Sequence, residues 1–122
     1  MKYLLLVHHD EQAFEKISEA VRRQMLDESV QLTHELHADG HYLSASPLQR
    51  AATAAIVRVR EGKRFVTDGP FMETKEQLAG YFLIDAHDLA TAIDIAARIP
   101  GGRIGSVEVR PVVEITGLPS RT

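Results

Sequence analysis

Lys2-Tyr3-Leu4-Leu5-Leu6-Val7-His8 is apolar on both alternating sets, Tyr3, Leu5 and Val7 on one side and Leu4 and Leu6 on the other. A strand with one wet face would alternate apolar with polar residues, so this run predicts a central strand covered on both faces. Asp10 follows it as an N-cap for a helix. The pattern returns further on: Tyr3-Leu4-Leu5-Leu6-Val7-His8-His9-Asp10 aligns without a gap on Tyr81-Phe82-Leu83-Ile84-Asp85-Ala86-His87-Asp88. Each is an apolar strand running into His-Asp at a helix start. The order strand, helix, strand, strand, helix, strand makes two βαβ halves and predicts an α+β, ferredoxin-like βαββαβ sandwich.

Helical spacing after Asp10 runs through Phe14, Ile17, Val21 and Met25. It continues through Leu32 and Leu36 if Asp27-Glu28-Ser29 does not interrupt it, and Gly40 ends it as a C′ residue. A continuous helix carries a second stripe of Leu26, Val30, Thr33 and His37, with His34 at its edge. That stripe is open to two readings, a subunit contact or pocket wall, or a bent helix wrapping its own core. The second helix, capped by Asp85 or Asp88, shows an apolar face of Leu89, Ala92, Ile93, Ala96 and Ile99, and Pro100-Gly101-Gly102 stops it.

Between the helices, His41 to Leu48 reads as a short strand ending at Pro47. Thr53 to Arg60 alternates cleanly, and Glu61-Gly62-Lys63 turns it back into Arg64 to Thr67. Gly80 to Asp85 is a buried strand, and Val107 and Val109 mark the last one. With both helices on one face, the open face of the sheet is expected to carry Ile56 and Arg58 or their opposites, and to need a cover.

At 122 residues and 44% hydrophobic, the chain suffices for one domain with its own core. Residues 1–116 are read as that domain and 117–122 as a tail. The absence of cysteine rules out disulfides and thiolate metal sites, which agrees with a cytoplasmic location. The leading apolar run, Leu4 to Val7, is far short of the ~20 residues of a membrane helix, so no membrane association is expected. A net charge of −3 without a dense Lys/Arg tract argues against nucleic acid. Neither a Gly-x-Ser-x-Gly elbow nor a glycine-rich loop after a strand is present, and no cofactor is expected.

The connection Val66-Thr67-Asp68-Gly69-Pro70-Phe71-Met72-Glu73-Thr74-Lys75-Glu76-Gln77 is longer than chain reversal needs. Asp68-Gly69-Pro70-Phe71, followed by Glu73, Lys75 and Glu76, closely resembles the motif that names the DGPF branch of the YCII-related proteins. The likeness extends from Lys2-Tyr3, through Leu78-Ala79-Gly80-Tyr81, to Ser106-Val107-Glu108-Val109-Arg110-Pro111. It implies a homodimer of the dimeric α/β-barrel type, two open sheet faces covering each other with a ligand cleft in or beside the interface. It implies no single reaction. Members that look like this often accompany extracytoplasmic-function sigma factors, so a functional link to such a factor is implied as well.

Three places concentrate ionisable groups. In the loop, Asp68 is either an Asx-turn residue bonding at Pro70 or a carboxylate pointed into a cleft. Phe71 is either an anchor packing the loop onto the core or a stacking platform. Glu73 and Lys75 are either solvated charges or, if the loop closes over a cleft, a base and an anion clamp. The second place is the helix face with His34 and His37, followed by Asp39 and His41. An acid/base pair is conceivable there, but the His-x-x-x-His spacing of zinc hydrolases is absent, and no metal site is expected. In more distant YCII-like proteins a His and an Asp of this region form a proposed dyad; here His34 lies nearer Gly40 and Asp39 precedes its glycine where theirs follows. The third is His8-His9-Asp10, where a strand end meets a helix start and His8 is a candidate ligand contact.

The resulting expectation is a homodimer binding a small polar or anionic molecule near the DGPF loop. His34 or His37 with Asp68 or Glu73 are its candidate acid/base residues, in a hydrolase or isomerase. The alternative is a non-catalytic accessory or sensor protein.

Overall fold

The structure, a computed structural model, describes residues 1–119, so the last part of the expected tail lies outside the described residues. The leading apolar run forms β1 (Lys2–His9), in which Tyr3, Leu5 and Val7 are buried and Leu4 and Leu6 half-buried. It is central: β1 pairs antiparallel with β5 (Gln77–Asp85) on one side and β6 (Ser106–Pro111) on the other, and β2 (Tyr42–Pro47) pairs with β5. The sheet order β2-β5-β1-β6 is the ferredoxin-like arrangement, and its two inner strands are the two runs that echo each other in sequence.

The first helical segment is two helices. Asp10 caps α1 (Glu11–Glu15) by accepting from the amides of Gln12 and Ala13. The chain then breaks at Lys16 to Ser18, and Ser18 caps α2 (Glu19–Ala38) through the Val21 amide. The interruption therefore falls ten residues before Asp27-Glu28-Ser29, because Ser18 offers a cap while the Ser29 hydroxyl bonds back to the Met25 carbonyl inside the helix. At the far end Gly40 (φ 82°) closes a Schellman motif, with amide bonds from Gly40 to His37 and from His41 to Leu36.

Leu32 and Leu36 of α2 join Ala92, Ile95 and Ala96 of α3 (Leu89–Ala96) in one core cluster on the buried side of the sheet, and Met25 of α2 is buried as well. The buried face of α3 is rotated from the expected one: Ile95 is buried, whereas Leu89 and Ile93 are about half exposed. Asp88, not Asp85, caps it. Arg98 with Glu35 and Arg103 with Glu28 fasten the α3 end of the chain to α2. Gly105 passes so close to β1 that an added Cβ would lie 2.0 Å from the His8 carbonyl oxygen.

The expected use of Ile56 and Arg58 on the open sheet face is corrected by the topology. Residues 55–68 form a separate antiparallel hairpin, β3 (Ala55–Arg60) and β4 (Lys63–Asp68), which pairs with no strand of the main sheet. Its turn has Glu61 at φ 51° and Gly62 at φ 75°, the two positive values of a type I′ reversal, whose twist matches the flanking strands. The open face of the main sheet instead carries Leu4, Leu6, Tyr81 and Leu83, with Ser44 bonded to the Tyr81 hydroxyl.

Candidate functional site

Two hollows flank the start of α1. The first, about 330 Å³, lies between α2 and the sheet. Its walls are Val7, Ala45 and Phe82 from the strands and Met25, Leu26 and Val30 from the helix. Part of the second apolar stripe of α2, Leu26, Val30 and Thr33, thus faces a cavity.

His9 lies on this cavity's wall because strand alternation puts it on the same side of β1 as Val7. Its ring stacks on Phe14 of α1, with centroids 4.4 Å apart and planes 13° apart. The Arg22 guanidinium sits 5.8 Å from the same Phe14 ring. Loss of hydration pushes the His9 imidazolium pKa below its ordinary value, against the weaker opposing pull of Glu11, Asp10 and Glu76. The ring therefore favours its neutral form, which offers one N–H donor and one lone pair.

The second hollow, about 530 Å³, lies under the DGPF loop, with Asp10, Glu11, Arg50, Glu73, Lys75 and Gln77 among its lining residues. Most of its polar groups already serve one another. Glu11 accepts from the Ala51 amide at 2.8 Å and pairs with Arg50, which also reaches Glu15. The Gln77 side chain accepts the Glu11 amide and donates to the Thr74 carbonyl, tying the loop to α1. Glu76 accepts from the Ser106 hydroxyl at 2.9 Å. Glu73 and Lys75 face the hollow with no hydrogen bond or ion pair from their side chains among the described residues.

The other sequence candidates are dispersed. His34 and His37 are exposed on the outer side of α2 and line neither hollow; the His37 ring meets Tyr42 edge to face at 6.3 Å. His41 bonds through Nδ1 to the Asp85 carbonyl oxygen at 2.8 Å. His8 points opposite to His9 and pairs with Glu108 at 3.4 Å. Asp68 ends β4, and its carboxylate takes part in no hydrogen bond or ion pair among the described residues. Pro70 has no N–H to offer an Asx turn. The loop is closed by backbone instead: Gly69, at φ 95°, donates to the Ala54 carbonyl at 2.8 Å. Phe71 is 70% exposed, resting against Arg58 of the hairpin rather than on the core. The structure thus brings Glu73 and Lys75 to one hollow and His9 to another, and gathers His34 or His37 with neither.

Sequence reasoning named His9 within His8-His9-Asp10 but took His8 as the contact, and it passed over Arg22, Glu11 and Gln77 as site residues. For His9 a signal existed: the parity of β1 turns it toward the helices and His8 away. For Arg22 and Gln77 no local pattern distinguishes a cavity wall or clasp from a solvated side chain. Among the described residues no cluster of three or more His, Asp or Glu could hold a metal ion, and no helix is long and apolar enough to cross a membrane.

Residues 1–116 match the family model of the YCII-related domain. The chain is 32% identical over 114 residues to an uncharacterized protein of Rhizobium meliloti (strain 1021), covering 92% of each. With the ferredoxin-like topology and a match spanning nearly its whole length, the chain belongs to the YCII-related family.

Proposed function

We propose that the protein works as a homodimer that binds a small molecule in the cavity between α2 and the sheet, with His9 as the group that accepts or donates a proton there. The observation that carries this reading is the cavity itself: an apolar hollow of about 330 Å³ with a desolvated imidazole on its wall. Ligand sites are typically apolar concavities with a few convergent polar groups and a titratable residue of shifted pKa. The acid/base role thereby moves from His34 and His37, which are exposed, to His9. The hollow under the DGPF loop is a weaker candidate, since Glu11, Arg50 and Gln77 spend their bonding capacity on one another.

The dimer is supported by the hairpin, where Val57, Val59 and Val66, on one face of the ladder, are each more than half exposed. Such a patch calls for a cover. The same surface also favours a second reading, an accessory protein whose hairpin meets another partner, such as a sigma factor.

Titration with the uncharged fluorophore N-phenyl-1-naphthylamine tests the cavity. Saturable binding is expected in the wild type, with loss in Ser29→Phe, which fills the hollow from α2, and retention in Val57→Lys. Binding that survives Ser29→Phe but disappears in Val57→Lys would place the dye on the hairpin and sink the reading. Light scattering tests the dimer: two chains per particle are expected for the wild type and one for Val57→Lys.

A further inference from the structure

The polar groups on the wall of the α2 cavity are unevenly matched, and the mismatch describes a ligand. No Asp or Glu lines the cavity. The helix hydroxyls have already committed their protons, Ser29 to the Met25 carbonyl at 2.9 Å and Thr33 to the Val30 carbonyl at 2.6 Å. Ser46 and Tyr81 border the cavity too, but their hydroxyls lie on the open face of the sheet, where Ser46 donates to the Pro47 carbonyl and Tyr81 bonds with Ser44. Arg22 is different. This half-buried residue lines the cavity with its guanidinium 5.8 Å from the Phe14 ring, and no carboxylate of the described residues lies within ion-pairing distance of it. On the same helix, Arg23, one residue on, is exposed and paired with Glu19.

A cation without a partner on an otherwise apolar wall is complemented by an anion. A guanidinium suits a carboxylate best, because its parallel N–H groups match the two oxygens. His9, stacked on the same Phe14 and favouring its neutral form, adds one donor and one acceptor to the wall. The apolar walls and the volume, at the small end of ligand pockets, set the remainder of the ligand as a compact hydrocarbon body the size of a ring.

We propose that the cavity takes a small carboxylic acid with an apolar, ring-sized body, its carboxylate held by Arg22 at the Phe14 side and its body packed between α2 and the sheet. This rests on the cavity being a binding site and goes further by naming the chemical class and the residue that selects it.

Phenylacetate and its neutral counterpart phenylacetamide separate charge from shape. Ligand-observed NMR titrations of the full chain are expected to show phenylacetate binding at least about tenfold tighter than the amide, as a charge-assisted pair should produce. Arg22→Gln is expected to remove that preference by weakening the acid alone, and Arg22→Lys to retain part of it. Arg22 lies outside the buried core cluster, and a circular dichroism spectrum of each variant checks its fold. Equal binding of acid and amide, or a preference that survives Arg22→Gln, overturns the proposal. If neither compound binds while N-phenyl-1-naphthylamine still does, the carboxylate inference falls and the cavity stands. If none of the three binds, both fall together.

Discussion

The β1–β5 pair and the β3–β4 hairpin are both antiparallel ladders, the first apolar but for its ends and the second interleaved with Arg58, Arg60, Lys63, Arg64 and Asp68, and they stand at opposite ends of the scale of burial. Leu5 and Ile84 are fully enclosed, whereas every residue of β4 is exposed. Strand residues are stabilised mainly by what packs on their faces, and only secondarily by the ladder itself. The inner pair owes its stability to α2 and α3, while the hairpin has just its own cross-strand contacts, its turn and the Arg58–Phe71 contact. The same secondary structure therefore carries fold stability in one place and surface in the other.

The sharpest way to break this contrast is to truncate each ladder in turn. Leu5→Ala is expected to cost about 3 kcal/mol by urea unfolding, through lost burial and the void left behind, and Val57→Ala less than about 0.5 kcal/mol in the isolated chain. Similar costs at the two sites would show that the hairpin is enclosed after all.

His9 sharpens the comparison by pH. Its folded pKa lies below the ordinary value near 6.5, so the unfolded chain binds the proton more readily. Its contribution is complete above the unfolded pKa and is lost as pH falls toward the folded one. Stability should decline on acidification below pH 6.5, and His9→Gln should flatten that decline, whereas His34→Gln on the exposed face of α2 should leave it. An unchanged profile in His9→Gln would mean that the ring is solvated.

Within the hairpin, Glu61 occupies a left-handed backbone position that a β-turn normally gives to Asn or Gly. Glu61→Asn is expected to stabilise by about 0.5 kcal/mol, read as a raised unfolding midpoint. Smallest of all, Asp68→Ala should change stability by less than about 0.5 kcal/mol, because its carboxylate takes part in no hydrogen bond or ion pair among the described residues. A loss of 1 kcal/mol or more would reveal a partner for that carboxylate, and a second copy of the chain would be the first place to look.

How far the sequence could be read follows the same division. β1 and β5 were legible as the inner strands because each is an unbroken apolar run, although the structure covers only their helix face and leaves Leu4, Leu6, Tyr81 and Leu83 half-buried on the open one. The type of β3 and β4 was legible too, but not their separation from the main sheet. Alternation in Val57-Arg58-Val59-Arg60 reports two dissimilar faces and says nothing about which neighbour a strand chooses. The helix break at Ser18 was hidden because Ile17 keeps the helical spacing across it. At the site, a count of histidines favoured His34 and His37, which share a helix face but no cavity, over His9, whose neighbours are brought in from α1 and α2. Proximity of that kind arises from topology, and residue spacing within one element does not contain it.

The short helix α1 has a consequence for time as well as place. It contributes no buried residue of its own, yet its Phe14 flanks the imidazole and forms part of the cavity's wall. A single helical turn held by a stack, a cap, the Gln77 clasp and the Arg50 pairs is expected to open more often than the core melts. For the guest proposed above, entry would then be uncoupled from the durability of the protein: amide hydrogen exchange at residues 12–14 is expected to be faster than exchange along β1, and equal rates would mean that α1 opens only with the core.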